Sequence, residues 1–212
     1  MMYILYILFT GLGLFLSYRI WSHIVYKKPY PRVEACKALF FLGSGGHTAE
    51  MLQLINSLEL KKYSPRIYVC ADSDALSENK VKEYENTKGS LEGVEYRVYK
   101  IPRARQVGQS LLSTPPSVLK ALLFSVKFIF SERPELVVCN GPGSCVPICI
   151  LALVLKVLGI QDTTIVYVES FARVKTLSLT GKLLYPLVDR FLVQWPELKE
   201  IYPGAEYLGI LI

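Results

Sequence analysis

Hydrophobic positions open this chain as one unbroken run and then recur in short blocks. Met2–Tyr18 carries no charge. As a helix it spans roughly 25 Å, and it becomes long enough to cross a bilayer if it continues through Ile20, Trp21, Ile24 and Val25 with Arg19 snorkelling. Past this run, Ala38–Gly43, Arg66–Ala71, Glu95–Ile101, Glu135–Asn140, Thr163–Glu169 and Arg190–Gln194 read as strands: short, apolar, and closed by glycine or a polar residue. Helical spacing lies between them. His47–Glu59 repeats through Met51, Leu52, Ile55 and Leu58, and Ala75–Glu85 is a polar helix. Ser117–Phe130 follows the Pro115-Pro116 pair; Val146–Leu158, Leu177–Leu187 and a short Pro196–Tyr202 complete the set. The alternation predicts an α/β fold: a single Rossmann-like parallel-sheet domain over residues 36–212, preceded by one transmembrane helix within residues 1–26.

Charge sharpens the reading of the first segment. The net charge is +6, and no acid precedes Glu34, whereas Arg19, Lys27, Lys28 and Arg32 do. The other 20 bases and 18 acids nearly cancel. The basic excess therefore flanks the apolar run and implies a membrane surface, not a nucleic-acid partner. With no basic start and no A-x-A site, the run reads as an uncleaved anchor; a signal peptide or a buried helix is the alternative. The positive flank places the N-terminus outside the cytosol and the body within it. A hydrophobic fraction of 51% against 20% charged residues excludes a mainly disordered chain. The five cysteines, with no C-x-x-C, read as reduced and buried, and no metal-ligand set is expected.

In a doubly wound sheet, ligands bind beyond the carboxyl ends of the strands. The first strand is followed by Gly43, Ser44, Gly45, Gly46, His47 and Thr48. Glycines at a helix start let backbone N–H groups approach an anion, or simply make a tight turn capped by Ser44 or Thr48. The spacing is not that of a Walker A loop, and Thr48 stands where a dinucleotide fingerprint has its third glycine, so a nicotinamide or flavin oxidoreductase remains only a weak alternative. His47 is the only histidine outside the anchor and a candidate base near pH 7. Arg103 and Arg105 follow the third strand as phosphate clamps or a solvated loop. Asn140, Gly141 and Gly143 form a second glycine-bearing turn. Glu169 ends the fifth strand with its carboxylate expected in the cleft, and Arg173 follows as a functional or structural partner. The apolar end, Tyr207, Leu208, Gly209, Ile210 and Leu211, is expected to dock on a partner.

FLGSGGHTAEML, IPRARQVGQS, CNGPGSCVPI, YVESFARVKTLSLTGKLLYPLVDRFLVQWPEL and the Gly-Ile-Leu tail together resemble the Alg-fourteen family, the membrane subunits of the eukaryotic UDP-N-acetylglucosamine transferase of asparagine-linked glycosylation. The resemblance implies the N-terminal half of a GT-B glycosyltransferase, related to the acceptor half of bacterial MurG. It implies an endoplasmic reticulum membrane protein whose body faces the cytosol, a soluble UDP-GlcNAc-binding partner of the Alg-thirteen family, and a GlcNAc-diphosphodolichol acceptor. It implies no cofactor. Gly45, Gly46 and His47 match the GGH of MurG, Gly141–Gly143 its second glycine loop, and Glu169 the acid after its next strand. Ser170-Phe171-Ala172-Arg173 departs from the asparagine and glutamine context that MurG has there. On this resemblance His47 and Glu169 are catalytic, and the two glycine loops, Arg103, Arg105 and Arg173 hold the acceptor diphosphate. A non-catalytic membrane scaffold is the other reading.

Overall fold

The computed structural model describes residues 34–102 and 114–212, together with Gly13, Ser17 and Tyr18. The expected anchor, and Arg103 and Arg105, lie outside the described residues. Among the described residues no helix is long and apolar enough to cross a membrane.

The chain forms strands β1 (Cys36–Phe41), β2 (Tyr63–Ala71), β3 (Tyr96–Ile101), β4 (Leu136–Cys139), β5 (Thr164–Val168), β6 (Arg190–Val193) and β7 (Glu206–Tyr207). Helices α1 (Gly46–Asn56), α2 (Ala75–Thr87), α3 (Thr114–Glu132), α4 (Val146–Val157), α5 (Leu179–Leu184) and α6 (Pro196–Ile201) connect them in turn. The strands make one seven-stranded sheet in the order β3-β2-β1-β4-β5-β6-β7, and every pairing is parallel. Winding runs outward from β1 to β3 and then restarts at β4 on the other side of β1. The switch point of the sheet is therefore the crevice between the ends of β1 and β4, where an open α/β sheet binds its ligand.

Strand alternation feeds two cores. Ala38, Phe40 and Leu42, with Tyr68 and Cys70, pack under Met51 and Ile55 of α1 and Val81 of α2. Leu39, Phe41, Ile67, Val69, Val137 and Ile165 pack beneath α3, α4 and α5 on the other face. The polar helix α2 is held by a buried ion pair. Arg66 donates from Nε to Glu85 Oε1 and from its second terminal nitrogen to Glu85 Oε2, both at 2.7 Å. Tyr68 donates to the same carboxylate at 2.5 Å. An apolar stripe is thus replaced by a satisfied polar one, which is why the helix reads as exposed in sequence.

Several elements differ from the sequence reading in their bounds, β1, α1 and α3 by two or three residues. Helix α5 is limited to Leu179–Leu184, because Ser178 caps its start and Pro186 blocks continuation. β2 begins at Tyr63, not Arg66, and pairs there with Cys36. The tail contributes a two-residue strand, β7, which pairs with β6 through Leu192–Glu206 and Val193–Tyr207.

Candidate functional site

The two glycine-bearing turns meet at the switch point. Gly45, with φ 69°, precedes α1, and no side chain caps that helix. This removes the expected capping role of Ser44, which is exposed with Gly45 and Gly46. Gly43 is buried for another reason. A Cβ there would stand 2.8 Å from both His47 Cβ and Pro142 Cγ, so its glycine lets the two turns touch. Gly141 has φ 88°, and a Cβ on it would fall 2.8 Å from His47 Nδ1. The imidazole thus packs against the backbone of the second turn. Asn140 is fully buried and donates from Nδ2 to the His47 carbonyl at 2.7 Å, tying the end of β4 to the start of α1.

His47 is half-buried, and its Nδ1 makes no hydrogen bond. Burial holds its pKa below the ordinary imidazole value; the Glu50 carboxylate opposes this and the Arg173 guanidinium adds to it. The ring is therefore neutral at pH 7, as a proton acceptor must be. Glu50 was not singled out in the sequence, although it lies one helical turn beyond His47 and so shares its face. Its Oε1 accepts from Ser170 Oγ at 2.8 Å, joining α1 to the loop after β5, while Oε2 is buried without a partner. Asn140 Oδ1 is a second buried acceptor without a donor. Three unsatisfied polar atoms, on His47 and Glu50 at the start of α1 and on Asn140 after β4, thus lie around the switch point.

Thr48 and Glu169 sit differently from the sequence reading. Thr48 is fully buried; its Oγ1 donates to the Gly43 carbonyl and lies 2.6 Å from Ser77 Oγ. It closes the turn and does not face a ligand. Glu169 is also fully buried, and its carboxylate is taken up by hydrogen bonds within the loop that follows it. Oε2 accepts from Ser178 N at 3.0 Å and Ser178 Oγ at 3.1 Å, and Oε1 from Ser170 N at 3.1 Å. Gly181 leaves the space for it, since a Cβ there would collide with the carboxylate. Burial raises its pKa above the usual carboxylate value despite these hydrogen bonds and Arg173. The backbone carbonyl of Glu169 in turn accepts from the buried Gln194 Nε2 at 3.1 Å. Arg173 is exposed beside this loop.

At the C-terminus Tyr207, Leu208 and Ile210 are exposed, while Leu211 N donates to Gln194 Oε1 at 3.3 Å. The tail thus leaves the sheet from a fixed point. All five cysteines are buried and none is in a disulfide. Contrary to the expectation of no ligand set, three of them, Cys139, Cys145 and Cys149, converge directly beneath the second glycine turn.

Comparison with known proteins adds the lineage. The profile described as "Oligosaccharide biosynthesis protein Alg14 like" matches residues 38–211. The chain belongs to the Alg14 family. Among the curated members, rat UDP-N-acetylglucosamine transferase subunit ALG14 is 46% identical over 206 residues, covering 95% of this chain and 94% of the relative. The human ALG14 subunit is 46% identical over the same length. The Schizosaccharomyces pombe subunit is 50% identical over 188 residues, covering 87% and 86%. Among solved structures, Acinetobacter baumannii MurG superposes with a TM-score of 0.55 at 17% identity, over 82% of this chain and 44% of MurG. At that identity the likeness is one of fold. The Alg14 core thus has the architecture of part of MurG, with the glycine turns and His47 at the crevice.

Proposed function

We propose that this chain is the membrane-bound, acceptor-binding subunit of a UDP-N-acetylglucosamine transferase, and that its crevice between β1 and β4 holds GlcNAc-diphosphodolichol. The observation that carries the reading is the seating of His47 on Gly141 where the two glycine turns meet, with Nδ1 unpartnered. The acceptor hydroxyl attacks the anomeric carbon of UDP-GlcNAc, UDP leaves, and the hydroxyl proton passes to the neutral His47 imidazole. The uncapped N-terminus of α1 faces the acceptor diphosphate with backbone N–H groups. The glycines and Asn140 shape the turns, and Arg103, Arg105 and Arg173 supply positive charge. Glu169 acts as a positioning residue: its carboxylate fixes the 169–178 loop on α5 and so places Arg173 and Ser170.

The donor site lies on a second polypeptide, the soluble subunit of the Alg-thirteen family, which docks on the exposed Tyr207–Leu211 tail. The anchor within residues 1–26 holds the chain in the endoplasmic reticulum membrane with its body toward the cytosol, where a lipid-borne acceptor gains effective concentration. The outer faces of α3 and α4 suit such a surface: Leu119, Leu123, Phe124, Ile150 and Val154 are exposed, with Lys120 and Lys127 on α3 beside them. A scaffold role without acceptor chemistry is the second reading. It is favoured by the burial of Thr48 and Glu169 in internal hydrogen bonds. With relatives named as transferase subunits, nothing favours the oxidoreductase reading.

The test is GlcNAc transfer from UDP-GlcNAc to a GlcNAc-diphospho-lipid by this chain, by the soluble partner, and by both. Turnover only with both supports the split acceptor site. Full turnover by the partner alone, merely concentrated on membranes by this chain, leaves the scaffold.

A further inference from the structure

The second glycine turn stands on a knot of sulfur. Cys139 is the last residue of β4, Cys145 precedes the first residue of α4, and Cys149 lies one turn into that helix. Their three sulfurs lie within 4.8 Å of one another, and Cys139 Sγ is 3.5 Å from Cys149 Sγ. Cys139 and Cys145 are 0% exposed and Cys149 3%, inside the core that also holds Ile148 and Tyr167. Among the described residues they form the group of cysteine, histidine and acidic side chains able to share an ion.

We propose that Cys139, Cys145 and Cys149 form a trigonal thiolate site for a soft monovalent cation, Cu(I), which clamps the loop between β4 and α4. A three-coordinate ion with metal–sulfur bonds of about 2.3 Å sets its sulfurs about 4 Å apart, a spacing reached here by shifts of less than an ångström. Thiolates select Cu(I) or zinc. Structural zinc takes four ligands in a tetrahedron, and this buried site presents three sulfurs. A three-coordinate soft cation fits the donor set without a fourth. Each ligating thiol releases its proton to solvent, and no electrons move. Three thiolates and one monovalent cation leave two net negative charges, which the positive end of the twelve-residue α4 partly offsets.

The placement gives the ion a task. Cys139 and Cys145 flank the Asn140–Ser144 turn, with Asn140 bonded to His47 and Gly141 against its ring. An ion joining both ends of the turn to α4 fixes the floor on which His47 rests. It is a structural clamp and not a reacting group, and it stands whether or not the acceptor reading does.

The test uses the full chain in its complex, purified anaerobically and titrated with Cu(I) against bicinchoninate. Retention of one Cu(I) per chain is expected, with X-ray absorption reporting three sulfur neighbours at about 2.3 Å and a raised melting temperature. Cys139→Ala with Cys149→Ala should lose the ion, and Cys36→Ala with Cys70→Ala should keep it. Should the double variant not fold, the chelator competition and the sulfur count on the wild-type complex still decide. Complete stripping by the chelator, a sulfur count of two or fewer, or preferential retention of zinc over Cu(I) would overturn the proposal and leave three packed core thiols.

Discussion

The imidazole of His47 rests on Gly141: the ring sits where a side chain at residue 141 would be, with Nδ1 only 2.8 Å from that missing Cβ. A histidine on α1 and a glycine ninety-four positions later, counted from the sequence, thus form one surface. The parallel winding puts their turns side by side.

Gly141→Ala should therefore be far worse than Gly45→Ala. Both glycines have positive φ, so each alanine costs about 1 kcal/mol or more from the backbone. Nothing lies within 4 Å of a Cβ at Gly45, whereas one at Gly141 expels the imidazole. Thermal melts should show comparable backbone losses for the two, while kcat in the assembled complex falls at least tenfold further for Gly141→Ala. Equal kcat values would separate the ring from the turnover.

The neighbours of His47 should shift the acid limb of the rate profile in opposite directions. Burial and Arg173 lower its pKa, and Glu50 raises it. Arg173→Gln should move the limb to higher pH, and Glu50→Gln to lower pH, both read in kcat between pH 5 and 8. The same shift sets a stability window. A histidine whose folded pKa lies below its unfolded value binds fewer protons folded, so its stabilisation is full above about pH 6.5 and is lost as pH falls through the folded value. His47→Gln should flatten that part of a urea-denaturation series.

The two glycine-bearing turns that meet at this crevice were legible in the sequence. A glycine or a polar residue at the end of an apolar strand, as at Gly43 and Asn140, marks the ligand edge of a parallel sheet. The helices and strands follow from runs that alternate or repeat. What escaped the sequence is which side chains meet, across turns and between elements. Ser170 reaches Glu50 across 120 residues. Glu85 reads as a solvated acid until Arg66 is found on the neighbouring strand. Cys139 joins Cys145 and Cys149 only because the turn between them folds back. Glu169 was expected in the crevice because it ends β5, but the amides at the start of α5 compete for its carboxylate and win.

Glu169 should accordingly behave as a positioning residue. Glu169→Gln keeps the volume and one acceptor, and should cost about 1–2 kcal/mol with a partial loss of kcat. Glu169→Ala strands the Ser170 and Ser178 amides, so stability and activity should fall together. Because burial raises the folded pKa of Glu169, its contribution is full below the unfolded value of about 4.3 and declines as pH rises through the folded value. The glutamine variant should lack that decline in a pH series of urea melts. Complete loss of turnover by a Glu169→Gln protein of unchanged stability would instead assign it a direct chemical role.

The tail should control assembly and not folding. Leu208 and Ile210 are exposed by more than half, so Leu208→Asp with Ile210→Asp should leave the melting temperature within about 2 °C, as surface substitutions do. Co-purification with the soluble subunit should be lost. Retained binding would place the interface elsewhere.

The most direct measurement is turnover by the reconstituted two-subunit complex carrying His47→Ala, with subunit stoichiometry and acceptor-lipid binding checked in the same preparation. A fall in kcat of about 10²–10⁴-fold, with assembly intact, is the expected loss of a general base. Wild-type kcat in an intact His47→Ala complex would contradict acceptor chemistry in this crevice and reduce the chain to a scaffold.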